Sequence, residues 1–325
     1  MEIDKLDRKI LYHLDIDSRQ SAKDIAAKTG SNKDTVNYRI NRLISEKAIS
    51  GFTTEVDTSR FGYSNIKTYL RFQDMDEKTE EEFFSYLSSF PEIGWIVHAS
   101  GRWDALFCTW ASSTFSFFST LTKIMNRFSR NIFEKQIIHN INWFYYNRKW
   151  LQPEERRVVS FRYGGEPGSE KLDDTDLRIL KELCLDGRVR FSAIAEKAGI
   201  PPQNVLNRVR ALERKGVITK YGIDLDHSRF GIVFCKAFIE LHNIDEKSLS
   251  EVYSFCEREP RIFALTTTLG AWDLELEMEV EKVEDMMEIM NRIKRSFPNS
   301  VKGYDSIVIT KQSRINYLPQ PFGVR

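Results

Sequence analysis

Two stretches of this 325-residue chain carry the same phrase. "RINRLISEKAISGF" occupies residues 39–52 and "RVRALERKGVITKY" residues 208–221. Each begins with Arg, has aliphatic residues at its second and fifth places, and ends with Ile and then an aromatic. They lie 169 positions apart, and the same offset pairs Asp7 with Asp176, Ile10-Leu11 with Ile179-Leu180, and Ile25-Ala26 with Ile194-Ala195. It also pairs Gly30 with Gly199, Phe61-Gly62 with Phe230-Gly231, and Pro91 with Pro260. Gly101, Trp103 and Asp104 meet Gly270, Trp272 and Asp273. A gapless match of this length marks an internal duplication, so the fold must be one that is built twice. Farther on, Met125-Asn126-Arg127 and Met290-Asn291-Arg292 match at an offset of 165, which implies a four-residue shift between the copies there.

Each copy opens with three helical segments. "DKLDRKILYHLD" puts Leu6, Ile10, Leu11 and Leu14 on one face. "SAKDIAAKTG" starts at a capping Ser21 and stops at Gly30. "SNKDTVNYRINRLISEK" opens at Ser31 and aligns Val36, Ile40, Leu43 and Ile44. A first helix packed on two others joined by a tight Gly-containing turn is a helix-turn-helix. "AISGFTTEVD" then reads as an extended wing.

The rest of each copy alternates strands and helices. "SNIKTYLRF", "GWIVHAS", "DALFCTWA" and "QIIHNINWFYY" read as strands, and "EKTEEEFFSYLSSF" and "TFSFFSTLTKIMNRF" as helices. The order is βαββαβ, a ferredoxin-like arrangement, and copy two repeats it. Between the copies, Gly164, Gly165, Pro167 and Gly168 suggest a short extended piece and then a flexible linker. The fold class is therefore α+β. Winged helix-turn-helix units at 1–57 and 172–226 alternate with ferredoxin-like units at 61–151 and 230–320, and residues 152–171 form the linker.

The order of these parts, with "GxWD" at the central hairpin, resembles the Lrp/AsnC regulators. Copy two carries the pattern more closely, in "DLRILKELCLDGRVRFSAIAEKAGI", "NRVRALERKGVITKYGIDLD" and "GAWDLELEMEV". Copy one departs from it at Ala48, where Gly is usual. The resemblance implies a transcription regulator whose βαββαβ units are RAM/ACT-like sensors, which pair through their sheets and respond to amino acids or related small molecules. Two phrases in one chain then mean two fused protomers, a pseudo-dimer. Double-stranded DNA is the expected partner, with homo-oligomers of pseudo-dimers beyond that.

Residues away from the apolar face of the third helix are candidates for DNA contact: Asn32, Lys33, Asn37, Tyr38, Asn41 and Arg42, and in copy two Gln203, Asn204, Asn207, Arg208 and Arg210. Amide and basic groups reach base edges and phosphates, although such residues also form ordinary solvated helix faces. Arg39 and Arg208 adjoin apolar positions and suit bracing as well. Gly101, Arg102, Trp103 and Asp104, with Gly270, Ala271, Trp272 and Asp273, fall in the hairpin that the resemblance places beside an effector pocket. A plain hairpin is the blander reading. Trp143, Phe144, Tyr145, Tyr146 and Trp150 form an aromatic run suited to sheet or interface packing.

A net charge of +1 requires any basic surface to be local. The four cysteines are scattered without a CxxC pair, and the five histidines lack metal spacing. The chain lacks an apolar run long enough to cross a membrane, and its start does not read as a signal peptide, so a cytoplasmic protein is expected. Walker, GxSxG and HExxH motifs are absent. Siroheme decarboxylases resemble the same two-part architecture and supply the rival reading. Their tetrapyrrole cavity is rich in His and Arg, whereas "FPEIGWIVHASGRWDALF" has one of each and "EPRIFALTTTLGAWDLEL" lacks His. A sensor that has lost DNA binding is a further alternative. The expectation is a protein that is not an enzyme and uses no cofactor.

Overall fold

The computed structural model describes residues 3–155, 157–243 and 245–318. Copy one runs α1 (Lys5–Ile16), α2 (Ala22–Thr29), α3 (Lys33–Ser45), β1 (Ile49–Val56), β2 (Ser64–Phe72), α4 (Glu77–Ser88), β3 (Ile93–Gly101), β4 (Ala105–Ala111), α5 (Thr114–Phe128) and β5 (Ile132–Tyr146). After β6 (Ser160–Gly164), copy two runs α6 (Asp174–Leu185), α7 (Phe191–Ala198), α8 (Pro202–Arg214), β7 (Ile218–Leu225), β8 (Val233–Leu241), α9 (Glu246–Arg258), β9 (Ile262–Leu269), β10 (Leu274–Val280), α10 (Val283–Ser296) and β11 (Val301–Ile315).

Ser21 caps α2 by accepting the Asp24 N–H, and Gly30 ends that helix in the left-handed region. The N-cap of α3 is Asn32 rather than Ser31. The position that a Gly suits at the end of α3 is Lys47, with φ of 58°, not Ala48. Its partner at the offset of 169 is Gly216, with φ of 67°.

That offset holds through β11, so the four-residue shift is corrected. The buried residues Phe117, Thr120, Leu121 and Ile124 of α5 have their mates at Met286, Ile289, Met290 and Ile293 of α10, each 169 later. β5 and β11 keep it too, since Asn65 faces Asn140 and Phe234 faces Ile309. A four-residue slip in a helix nearly preserves its face, which lets the Met-Asn-Arg match arise at the wrong register.

Strand order is β2-β4-β3-β11-β8-β10-β9-β5, and β5 also pairs with β2. Eight antiparallel strands thus close into a barrel, with two seams between the copies, β3–β11 and β5–β9. Helices α4 and α5 cover the outer face of one half through Phe83, Leu87, Phe107 and Ile124. Helices α9 and α10 cover the other through Val252, Leu276, Met278 and Ile289. The alternate residues point inward, where an eight-stranded barrel has room only for side chains or one small ligand. Tyr69, Trp103, Phe238 and Trp272 fill much of the interior.

Four charges lie inside this aromatic core. Lys67 and Lys236, mates at the common offset, are fully buried, as is Glu275, while Glu277 is nearly so. Glu275 accepts from Lys67 Nζ at 2.5 Å, Tyr69 Oη at 2.8 Å and Trp272 Nε1 at 3.0 Å, and it pairs with Lys236 Nζ at 2.8 Å. Lys236 also reaches Glu277 at 2.7 Å. Burial alone would raise the Glu275 carboxyl, yet Lys236 and Lys67 hold it down at about 2.

The strand expected as an extended wing forms, and it also ties the copies: β1 and β7 pair antiparallel, with Glu55 opposite Lys220. Each helix-turn-helix then leans on the other copy's strand. Ile223 and Leu225 complete the core of the first unit, and Val56 that of the second. The segment expected as a flexible linker is packed against copy one. β6 adds to the end of β5, and Gly168 donates its N–H to Ser59 O at 2.7 Å. A Cβ on Gly168 would lie 2.4 Å from Arg60 O, so only glycine fits there.

Because both seams and the charge cluster join the copies, cleaving the chain between residues 165 and 172 should leave the halves associated in size-exclusion chromatography; free halves would refute this. Glu275→Gln should lower unfolding free energy by about 3 kcal/mol, because Lys67 and Lys236 lose their shared counter-charge in the interior. The Glu275 contribution is complete above its ordinary pKa of 4.5 and is lost as pH falls toward about 2. Acid unfolding followed by circular dichroism should therefore be shallower over that range in the variant than in the wild type.

Candidate nucleic-acid interface and buried cavity

The third helices sort the sequence candidates into two groups. On α3, Val36, Ile40 and Leu43 are buried, while Lys33, Asn37, Tyr38 and Asn41 are exposed. Tyr38 is 66% exposed, a large value for an aromatic ring that has no apolar cover. On α8, Val205, Val209 and Leu212 are buried, while Gln203, Asn204, Asn207 and Arg210 are exposed. Gln203 Nε2 donates to Asn207 Oδ1 at 3.1 Å. Asn32 is exposed but committed locally, its side chain accepting the Thr35 N–H at 2.8 Å.

Arg42 and Arg208 are braces in this structure. Arg42 Nη2 binds the fully buried Asp7 carboxylate at 2.5 Å, and Arg39 reaches Asp4 and Asp7 at 2.6 and 3.2 Å. Arg208 holds Asp173 and Asp176, each at 2.8 Å. Both copies thus tie the third helix to the capping box of the first. Arg208 and Arg39 brace as their apolar neighbours suggest, whereas the helical wheel shows Arg42 only as polar, because the carboxylate it meets belongs to another helix.

The hairpin residues serve the barrel. Trp103 and Trp272 point inward. Asp104 accepts the Phe72 N–H and Asp273 the Leu241 N–H, both at 2.7 Å, which fastens each hairpin to its neighbouring strand. Gly101 and Gly270 stand where the other copy's strand passes closely. A Cβ would lie 3.0 Å from Ser306 O at Gly101 and 2.5 Å from Ile138 Cδ1 at Gly270. Arg102 pairs with Asp305 at 3.0 Å, and Ala271 is exposed. None of these eight residues lines any of the three described cavities.

A cavity of about 250 Å³ lies instead between the β1–β7 ribbon and the barrel mouth. Its walls include Trp95, Trp110, Trp143, Tyr145, Tyr163 and Phe263, and its ionisable polar residues include Glu55, Arg148, Lys220, Asp224, His227 and Glu277. Arg148 is held by Asp15 at 2.5 Å and by Glu279 at 2.9 Å, linking α1 of copy one to β10 of copy two. Burial would raise Glu279, but Arg148 and His227 hold it at about 2. Burial pushes Glu55 up to about 7, with Lys220 opposing from 3.8 Å, and likewise raises Asp224. This site is formed by residues far apart in the sequence, and no motif marks it. One signal was present, since Glu55 and Asp224 are mates at the common offset. The aromatic run expected to pack a sheet supplies Trp143, Tyr145 and Tyr146 to the walls.

Comparison with known proteins agrees with the duplicated helix-turn-helix. The AsnC-type helix-turn-helix domain matches residues 3–44, and the winged helix-turn-helix DNA-binding domain matches residues 172–219. An uncharacterised HTH-type transcriptional regulator of Pyrococcus furiosus is 30% identical over 128 residues, 39% of this chain and 82% of that protein. The chain belongs to the Lrp/AsnC family of transcriptional regulators. The regulator LrpC of Bacillus subtilis is 29% identical over 38% of this chain and 83% of its own length. Each relative spans one copy's worth of sequence.

The whole chain has a structural counterpart. The crystal structure of the siroheme decarboxylase NirDL covers 97% of this chain and 94% of its own, with a TM-score of 0.63 and 13% identity. The same enzyme with an iron-uroporphyrin III analogue gives 0.62. This corrects the expectation that the chain is not an enzyme: its complete two-copy fold is one on which an enzyme is built. At 13% identity the likeness is one of fold. Among the described residues, no helix is long and apolar enough to cross a membrane.

Arg42→Ala should lower the melting temperature, because buried Asp7 then keeps only the Asp4 N–H and the longer Arg39 contact at 3.2 Å; the cost is about 1–3 kcal/mol. It should leave the salt dependence of DNA binding unchanged. A reduced slope without destabilisation would return Arg42 to the phosphate contacts.

Proposed function

We propose that this family member binds DNA through both third helices and that one chain reads two unlike half-sites. The observation that carries this is the difference between the exposed faces of α3 and α8. At the common offset, Lys33 corresponds to Pro202, Asn37 to the half-buried Leu206, Tyr38 to Asn207, and Asn41 to Arg210. Asn pairs with adenine and Arg with guanine in the major groove, whereas Leu offers apolar contact only. A homodimer presents identical helices and therefore reads a palindrome. Fusion removes that constraint. Modulation by an amino acid or related small molecule, and association of whole chains into larger assemblies, belong to the same reading. The exposed Phe115, Phe118 and Leu269 favour the latter.

Lys33→Ala and Arg210→Ala should each weaken binding to all sequences and reduce the salt slope of log K by about 1. Selection from a random DNA pool should return an asymmetric site. Asn37→Ala should relax one half of it and Asn207→Ala the other. Recovery of one palindrome, with both variants losing specificity at the same bases, would sink the proposal.

The whole-chain likeness to NirDL favours a second reading, a tetrapyrrole-binding enzyme on the same fold. Its test is a visible absorption band on adding siroheme to the purified protein. A spectrum equal to that of free siroheme would dismiss it.

A further inference from the structure

The cavity at the barrel mouth has an uneven distribution of unused polar groups. Its cations are all engaged. Arg148 lies between Asp15 and Glu279, and Lys220 sits 3.8 Å from both Asp15 and Glu55. Deeper in, Lys236 is shared by Glu275 and Glu277, and Lys67 is bound to Glu275. Six carboxylates, Asp224 included, therefore face four Lys and Arg cations, and His227 is already engaged by Glu279 at 2.7 Å. The surplus is specific. Glu55 Oε2 is buried with no hydrogen-bond partner among the described residues, and Asp224 makes no ion pair there. Two donors on the cavity wall, Asn65 Nδ2 and Trp143 Nε1, are also buried and unpartnered among the described residues. Glu55, Asn65 and Trp143 are each more than nine-tenths buried.

A buried carboxylate oxygen without a donor is costly, and a cationic guest relieves it. An anionic guest finds no unpaired cation here. The walls are aromatic, and aromatic faces attract ammonium groups. Within this barrel, Lys67 Nζ already sits 4.6 Å from the Trp143 ring and Lys236 Nζ 5.1 Å from Trp95. The free donors at Asn65 and Trp143 call for an uncharged acceptor elsewhere on the guest. An adjoining open groove shares Ser50, Leu225, His227, Phe234 and Gln312 with the cavity and gives access to it.

We propose that this cavity binds a small organic cation, an alkylammonium carrying a hydroxyl or carbonyl acceptor, with the ammonium at Glu55 and Asp224 and the acceptor at Asn65 and Trp143. Both carboxylates come from the β1–β7 ribbon that joins the helix-turn-helix units, one from each copy. The site is thus complete only when the copies are paired.

The test is isothermal titration of the full-length protein with choline, and with its uncharged isostere 3,3-dimethylbutan-1-ol, which keeps the hydroxyl. Choline should bind, and the isostere should bind more weakly by roughly ten-fold or more. Glu55→Gln should reduce choline affinity while leaving the isostere unaffected. Should that variant fail to fold, the comparison of the two ligands on the wild type still decides. No heat with choline, equal affinity for the isostere, or binding of acetate in place of choline would overturn the proposal. DNA binding takes no part in the measurement, so its result is independent of the proposed regulatory function.

Discussion

Glu275 is the point at which the two copies become one molecule. Its carboxylate takes donors from Lys67 and Tyr69 of copy one and from Lys236 and Trp272 of copy two. Buried charges are tolerable only when paired and hydrogen-bonded, so this position selects its partner. At the common offset, Glu275 and Glu277 correspond to Leu106 and Cys108. Copy one paired with itself would bury Lys67 twice with neither glutamate at hand. Copy two paired with itself would place four glutamates around two lysines. Only the mixed pairing balances. Fusion in one chain also supplies that pairing at high effective concentration.

Barrel closure then sets everything outside it. The strands leading into the barrel from each helix-turn-helix meet as the β1–β7 ribbon, and each DNA-facing unit rests on the other copy's strand. Arg148 locks the first unit to the second sensor through Asp15 and Glu279. The cavity lies under this ribbon, where interior side chains give way to the charged faces of Glu55, Lys220 and Asp224. Its walls come from both copies and from the strands that carry their helices.

Several local errors have one cause. The Met-Asn-Arg match at the wrong offset and the Gly expected at position 48 both come from treating an element alone. Helical patterns survive a four-residue slip, and only the paired strands hold the register. Lys47 adopts the left-handed conformation because the turn after α3 requires it, whatever residue stands there. Arg42 looked available for phosphate because its carboxylate partner lies on a helix about 35 residues earlier.

The sequence by itself determined the duplication, the helix-turn-helix units and the βαββαβ order. These rest on periodicity, caps and a constant offset, all of which act over short range. Tertiary structure alone decided where the second face of each sensor strand points. In "LELEMEV" the alternation is plain, and glutamates on one face of a strand would ordinarily meet water. Closing the barrel turns that face inward, so Glu275, Glu277 and Glu279 become the counter-charges of Lys67, Lys236 and Arg148. No local pattern carries that information, because it depends on which strand of the other copy closes the ring.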